Sequence, residues 1–382
     1  MNQHLTDIEY QEKVFRCIHC GLCLQSCPTY SVVGTEMDAP RGRITMMRAL
    51  ITGRLPLSEA ISRHIYTCIG CMACKIACPS GVITDQIFHG AKEIIAGSQF
   101  FPASIGEQAQ RVRATNNIAG EPAANRFLWT ENLADKPTDL FGKPGAEVVV
   151  FTGCVSALYP LVYGILQSLV GVLRAANVDF TVGYDEWCCG YPLYEAGLDV
   201  AELKAHNLAR VEALGAKTLI TTCPSCYYMW KNQYAPTSLK VLHATEYLAQ
   251  LVKEGRLPLR ALNTRVTYHD PCDLGRRNQV YDTPRQLIRA IPGVEFVEMK
   301  ANRENAFCCG GGGNLESVDV ELSRAVARTR LEQARDVGAG ILVSACQQCE
   351  RTLGMAARRE RIRVKVMDIT QLLEEALKDG AT

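Results

Sequence analysis

The sequence has almost no net charge, since 41 lysines and arginines against 40 aspartates and glutamates leave a formal charge of +1. A balanced composition provides no basic stripe for phosphates, and we expect no nucleic-acid partner. It also lacks a long uninterrupted hydrophobic run. The most apolar stretch, residues 157–176, includes Pro160, Gln167 and Arg174, which predicts a buried helix rather than a membrane span. The polar start MNQHLTDIEYQEK has no secretory or transit signal, so we expect a cytoplasmic chain, with peripheral attachment to the inner face of the membrane through partners as an alternative.

A nucleotide-binding motif is also missing from the sequence. The glycine run 310–313 fits neither G-x-G-x-x-G nor G-x-x-x-x-G-K-[ST]. We therefore expect no flavin or NAD on this chain, and hydride chemistry would need a partner subunit.

Cysteine, by contrast, is abundant, with 18 residues among 382. A secreted disulfide scaffold would be small and would carry a signal peptide, and this chain is neither small nor led by one. Thiols at this density indicate metal binding or redox chemistry. All eighteen fall into motifs, which argues against scattered structural cysteines.

The first eight cysteines form two copies of one motif. Residues 17–28 are CIHCGLCLQSCP and residues 68–79 are CIGCMACKIACP. Both resemble bacterial two-cluster ferredoxins, in which three cysteines of one motif and the fourth of the other hold each [4Fe–4S] cubane. This resemblance implies two ligand sets: Cys17, Cys20, Cys23 with Cys78, and Cys68, Cys71, Cys74 with Cys27. Zinc is the competing interpretation of any C-x2-C pair, but the repeated four-cysteine spacing disfavours it.

The fold class predicted from periodicity is α/β with a helical N-terminal ferredoxin domain at 1–97. Residues 98–145 are rich in breakers and are predicted to be an irregular linker. Two halves follow, at 146–260 and 261–382, in which short apolar strands alternate with helices and predict small parallel sheets covered by helices. Strands are predicted near 147–152, 178–183, 217–222 and 239–243, and again near 265–269, 294–299, 339–344 and 362–367.

Each half carries five cysteines in the same order: a single cysteine, an adjacent pair followed by glycine, and a C-x2-C. The sets are Cys154, Cys188, Cys189, Cys223 and Cys226, and then Cys272, Cys308, Cys309, Cys346 and Cys349. The single cysteine and the C-x2-C follow predicted strands, at the edge where an open α/β sheet binds ligands. Five thiolates exceed the four that a cubane or tetrahedral zinc needs, and they indicate an iron–sulfur cluster of unusual shape.

These motifs resemble the CCG-domain iron–sulfur proteins. EWCCG, TTCPSC, YHDPCDLGR, ENAFCCGGGG and SACQQC are similar to the heterodisulfide reductase catalytic subunit, while CIHCGLC and APRGRI are similar to the glycolate oxidase iron–sulfur subunit. The resemblance implies a noncubane [4Fe–4S] cluster on each five-cysteine set, and hence one or two noncubane clusters beside two cubanes. Glycolate oxidase subunits of this type often have an incomplete first set. Both sets are complete here, which leaves room for disulfide chemistry.

Two functions are compatible with the resemblance. The leading hypothesis is the electron-transfer subunit of a flavin-dependent 2-hydroxy-acid dehydrogenase of the glycolate or D-lactate type. Such a hetero-oligomer would contain an FAD-binding subunit and would pass electrons to a quinone, an electron-transfer flavoprotein or another acceptor. The alternative is a heterodisulfide-reductase-like subunit that reduces a disulfide at noncubane clusters.

Catalytic residues are not fixed by the sequence, but three candidates stand near Cys272. His269 and Asp270 are placed to relay protons or to hydrogen-bond a cluster sulfur, although strand-end capping explains them equally well. Arg276 is a candidate for binding an anionic substrate or partner, and a solvated face is the alternative.

Overall fold

The computed structural model describes residues 3–133, 136–234 and 237–377. The chain divides into two compact units. The first unit comprises Met1–Gln110, Pro192–Val200 and Arg303–Arg330, and the second comprises Arg111–Tyr191, Ala201–Asn302 and Leu331–Thr382. The segments of each unit are therefore interleaved along the chain, and the domain boundaries drawn from the sequence stay a prediction.

The N-terminal part of the chain is helical, as its spacing predicts. Its helices are Gln3–Thr6, Ile8–Phe15, Leu22–Ser26, Pro28–Val33, Glu36–Asp38 (3-10), Pro40–Ile51, Glu59–Tyr66, Ala73–Ile76 and Thr84–Ala96. Glu59–Tyr66 shows why they form: the Ser58 side chain accepts a hydrogen bond from the Ile61 N–H and caps the helix. Ile61 and Ile65 then fall on one buried face and join the core of the first unit.

Two four-stranded parallel sheets form the second unit. The first contains β1 (Val148–Val150), β2 (Phe180–Val182), β3 (Thr218–Thr221) and β4 (Lys240–His243), in the order β2-β1-β3-β4. The second contains β5 (Thr264–Tyr268), β6 (Val294–Phe296), β7 (Ile341–Ser344) and β8 (Lys365–Asp368), in the order β6-β5-β7-β8. The shared order confirms the duplicated parallel architecture. In each sheet the strand order reverses between the two central strands, and a ligand crevice is expected at their carboxyl ends.

The predicted irregular linker is wrong for part of its length. Ala103–Thr115 is a helix and Ala123–Thr130 is a 3-10 helix. Ile105, Ala109 and Val112 are buried along one face of the first of these. This stripe outweighs the proline and glycine signals around it.

The remaining helices follow the strands. They are Cys154–Leu158, Pro160–Val162 (3-10), Tyr163–Ala175, Tyr191–Tyr194, Ala201–Ala213, Pro224–Tyr228, Met229–Gln233 (π), Ala244–Lys253, Asp273–Arg277 (π), Asp282–Ala290, Arg303–Asn305 (3-10), Leu315–Val318, Val320–Asp336, Gln347–Arg359 and Ile369–Leu377. The apolar stretch 157–176 is thus interrupted before Pro160, which starts a new helical turn. Across the described ranges, no helix is both long and apolar enough to cross a membrane.

Candidate iron–sulfur cluster sites

The two ferredoxin motifs fold with the same backbone turns. His19 and Gly21 adopt positive φ in the first motif, and Gly70 and Met72 do so at the equivalent positions of the second. Left-handed residues at this spacing curl a loop so that its N–H groups face inward, which suits an anionic iron–sulfur cluster. Each loop thus resembles a cradle built around its first three cysteines.

The first predicted cubane set surrounds one cavity. The structure brings Cys17, Cys20 and Cys23 together with Cys78 of the other motif around it. Cys74 also lines this cavity. The sulfur donors therefore fit a cluster chemically, and their arrangement is compatible with exchange of the fourth ligand between motifs.

The four cysteines of the second predicted cubane set also belong to the first unit. Burial raises the pKa of the Cys74 thiol, and the neighbouring charges of Cys71, Cys68 and Cys27 raise it further. These four thiols are therefore within electrostatic reach of one another. Gly313, from the glycine run, packs against the same loop, because a Cβ on it would lie 2.4 Å from the Cys68 carbonyl oxygen.

The first five-cysteine set lies at the reversal point of the first sheet. Cys154 follows β1, while Cys223 and Cys226 follow β3. All five cysteines of the set are buried. The thiols of this set perturb one another: hydrogen bonding to Cys188 raises the pKa of Cys154, and hydrogen bonding to Cys189 and Cys223 raises the pKa of Cys226.

The sulfur atoms of this set leave little room for other side chains. Gly153 has φ 72° and ψ 170°, and a Cβ on it would lie 3.0 Å from Cys226 Sγ. Donated hydrogen bonds from Cys188 and Cys226 lower the pKa of Cys189 to about 6. Five buried sulfur donors, with a glycine that lets the backbone pass close to them, fit an iron–sulfur cluster.

A buried ion pair supports the turn that carries Cys154. Arg126 Nη2 lies 3.7 Å from Cys154 Sγ, and its Nη1 donates to the Gly153 carbonyl at 3.2 Å and to Glu186 Oε1 at 3.1 Å. Glu186 also accepts hydrogen bonds from the backbone N–H groups of Thr152 and Gly153 at 2.8 and 2.7 Å. Burial lowers the pKa of Arg126, but the charges of Cys154 and Glu186 outweigh it and raise that pKa overall. The guanidinium lowers the pKa of the Cys154 thiol, but hydrogen bonding to Cys188 and burial outweigh it and raise that pKa overall.

The second five-cysteine set uses equivalent positions of the second sheet. Cys272 follows β5, and Cys346 and Cys349 follow β7, all in the second unit. Cys308 and Cys309 belong to the first unit, where the Ser323 hydroxyl donates to the carbonyl of the following Gly310 at 2.9 Å.

The three catalytic candidates are buried near Cys272. A ring nitrogen of His269 lies within 4.8 Å of Cys349 Sγ, so His269 is beside the second set. Both carboxylate oxygens of Asp270 accept hydrogen bonds from Arg285, at 2.7 and 2.9 Å, which favours a structural role. Arg276 is 5% exposed, so the alternative of a solvated face is wrong for this residue.

Comparisons with known proteins agree with this arrangement. A family model described as "Cysteine-rich domain" (CCG) matches residues 148–231 and 266–354, and one described as "4Fe-4S dicluster domain" matches residues 13–82. The chain is 31% identical to a component of the "Dihydromethanophenazine:CoB--CoM heterodisulfide reductase" of Methanosarcina acetivorans, covering 98% of this chain and 96% of that protein. The chain belongs to the CCG-domain iron–sulfur protein family. The predicted family is confirmed.

Other relatives of this CCG-domain protein are longer than it is. It is 28% identical to "Probable iron-sulfur-binding oxidoreductase FadF" of Bacillus subtilis, covering 95% of this chain and 60% of that one. It is 26% identical to "EtfAB:quinone oxidoreductase" of Syntrophomonas wolfei, covering 95% and 58%. A hypothetical protein from Helicobacter pylori shares the fold, with a TM-score of 0.56 at 11% identity over 98% of this chain and 73% of that one.

The biochemical class predicted from the sequence is therefore confirmed. This CCG-domain protein is an iron–sulfur oxidoreductase subunit that binds [4Fe–4S] clusters and acts in electron transfer. The division into cubane and noncubane clusters and the residue-level ligand sets stay predictions.

Sequence reasoning missed the residues that surround the cysteines. Arg126 lies in the stretch predicted to be a linker, and no motif marked it. The sequence shows that Glu186 stands two residues before the adjacent cysteines, but only the structure shows that it is buried, as a carboxylate rarely is unless it is paired.

Proposed function

We propose that this CCG-domain protein is the electron-transfer subunit of a flavin-dependent 2-hydroxy-acid dehydrogenase of the glycolate or D-lactate type. Bound clusters would supply one-electron transfer between FAD on a partner subunit and a quinone, an electron-transfer flavoprotein or another acceptor. The observation that carries this proposal is the exposure of the first cubane set. Cys20 is exposed, and the flanking Ile18 and Leu22 are 67% and 52% exposed, so a redox partner can approach these ligands directly.

The proposed ligand sets assign each of the eighteen cysteines to one of four sites. Each cubane takes three cysteines from one ferredoxin motif and the fourth from the other, and each noncubane cluster takes one five-cysteine set. The assignment of the first five-cysteine set is supported by the burial of all five cysteines and by the positions of Cys154, Cys223 and Cys226 after the neighbouring strands β1 and β3.

Anaerobic purification of the tagged chain from its own host, with bound partners retained, tests the proposal. Visible cluster absorbance is then followed while glycolate, D-lactate, glycerol 3-phosphate or a dithiol is added in turn. We expect bleaching by a hydroxy acid in a preparation that contains flavin. A preparation without flavin that ignores every hydroxy acid would contradict the proposal.

Reduction of a disulfide is the second candidate function. In that reaction RS–SR′ takes up two electrons and two protons and yields RSH and R′SH. The completeness of the first five-cysteine set supports this second function. A relative that is named as a heterodisulfide reductase component, and that aligns over 96% of its length, supports it as well. Bleaching by dithiols alone, with no flavoprotein bound, would favour this function over the first.

A further inference from the structure

One glutamine physically joins the ligand loops of the two CCG halves. Gln347 lies between Cys346 and Cys349 of the second half and is fully buried. Its Nε2 donates to the Thr152 carbonyl at 2.8 Å and to Thr222 Oγ1 at 2.6 Å, and its Oε1 accepts the Ser156 N–H at 3.1 Å. Thr152 and Ser156 flank Cys154, and Thr222 directly precedes Cys223. Every one of these hydrogen bonds therefore ends beside a ligand loop of the first half.

An aspartate makes the reciprocal connection. Asp273 follows Cys272 and accepts hydrogen bonds from Ser225 Oγ at 2.8 Å and from the Tyr191 hydroxyl at 2.9 Å. Ser225 lies within the C-x2-C of the first half, and Tyr191 directly follows its CCG. Arg277 Nε holds the same carboxylate at 3.1 Å. Each half thus bonds, from beside its own cysteines, to the loops of the other half.

The side chain of Gln347 packs tightly against the ligand loops of the first half. A Cβ on Gly153 would lie 3.4 Å from Gln347 Oε1, so the amide packs directly on the turn before Cys154. Helices Cys154–Leu158 and Gln347–Arg359 contact each other, as do Pro224–Tyr228 and Asp273–Arg277. Because a buried amide whose partners move away is left unsatisfied, displacement of one loop must disturb the other.

We propose that Gln347 is a positioning residue that couples the two five-cysteine sites, with Asp273 as its reciprocal counterpart. Each site then retains its cluster only when the ligand loops of the other site are in place. This inference rests on the proposed ligand sets and not on the identity of the oxidised substrate.

The sequence CQQC offers a matched pair of variants. Gln347→Leu removes the connecting amide, whereas Gln348→Leu removes a neighbouring amide that donates to Thr352 Oγ1, at 3.0 Å, within its own helix. Both variants keep all ten CCG cysteines. The cluster-loaded full-length chain is exposed to an iron chelator anaerobically, and alkylation of each cysteine is followed by mass spectrometry.

We expect Gln347→Leu to speed alkylation of Cys154 and Cys223, in the half that does not contain it, by about 10–100-fold, since partners that orient metal ligands have effects of this size. Gln348→Leu should label at the wild-type rate. The midpoint potential of the first-half cluster, measured by EPR redox titration, should also shift in Gln347→Leu alone, which a purely local folding defect in the second half would not produce.

Coupling between the free energies of cluster binding at the two sites must be reciprocal, which supplies a second variant should Gln347→Leu fail to fold. Thr222→Val removes the hydroxyl acceptor while keeping the side-chain shape, and it should speed alkylation of Cys346 and Cys349. Thr218→Val, at the start of the strand β3 that Thr222 directly follows, is its control. If the CCG cysteines of the wild-type chain are not shielded from alkylation, both the proposed ligand sets and this inference are rejected. Shielded cysteines that respond only in the half that carries the substitution would overturn the inference alone.

Discussion

Arg126→Met tests whether the ion pair beneath Cys154 stabilises the second unit. Arg126 Nη1 lies 3.1 Å from Glu186 Oε1, and the two side chains are 6% and 2% exposed. Removing one partner of a buried pair leaves an uncompensated charge and typically costs about 3–5 kcal/mol. Glu186 retains hydrogen bonds from Thr152 and Gly153, so we expect a loss near the lower limit, about 3 kcal/mol.

Tryptophan fluorescence reports this loss specifically. The chain has three tryptophans, and Trp129, Trp187 and Trp230 all belong to the second unit. For a unit of this size each kcal/mol lowers the midpoint of thermal unfolding by about 2–4 °C, so we expect a fall of about 6–12 °C under anaerobic conditions.

Two further variants make this prediction specific to the buried pair. Adding Glu186→Gln to Arg126→Met removes the stranded charge and should restore at least half of the lost midpoint. Lys143→Met breaks an exposed pair with Asp179 at 2.8 Å and should leave the midpoint nearly unchanged. A double variant as unstable as Arg126→Met alone would refute the assignment of the loss to the buried charge.

Three other substitutions have clear expected outcomes. Arg285→Met leaves the buried Asp270 carboxylate without its charged partner. It should lower the free energy of unfolding by about 3–5 kcal/mol, measured by the same fluorescence. Asp270→Asn should lower stability but leave the rate of cluster reduction within about threefold of wild type. A rate about a hundredfold slower, the size of a general acid–base contribution, would instead indicate that Asp270 is a proton relay. Gly313→Ala should lose about four irons per chain, the content of one cubane, because its Cβ would lie 2.4 Å from the Cys68 carbonyl oxygen. Gly81→Ala is its control, since Gly81 has the same φ of +63° and a Cβ there would meet no heavy atom of the described residues within 4 Å; equal iron loss in both variants would mean that backbone strain alone is responsible.

The positions of the strands relative to the cysteines were predictable from the sequence because the pattern is local. Apolar runs such as EVVVFTGC combine a strand and the cysteine that follows it, and the repeated cysteine order defines the duplication. All eight predicted strands overlap strands of the structure. The parallel sheets then place Cys154 and Cys223 at neighbouring strand ends.

The residues between and around those cysteines were not predictable for the opposite reason. Arg126 lies in the 3-10 helix Ala123–Thr130, and it is the course of this helix that brings its side chain to Cys154. No periodic pattern in the sequence indicates that contact. Gln347 and Gln348 are chemically identical neighbours, and only the phase of the helix that they begin turns the first toward Thr152 and the second toward Thr352. The interleaving of the two units likewise depends on contacts far apart in the chain.

Total iron, zinc and acid-labile sulfide per chain, measured on the anaerobically purified protein, test the central claim most directly. Two cubanes and two noncubane clusters predict about sixteen irons with matching sulfide, and about twelve irons if only one CCG site is filled. About four zinc ions without sulfide would contradict electron transfer through iron–sulfur clusters in this chain.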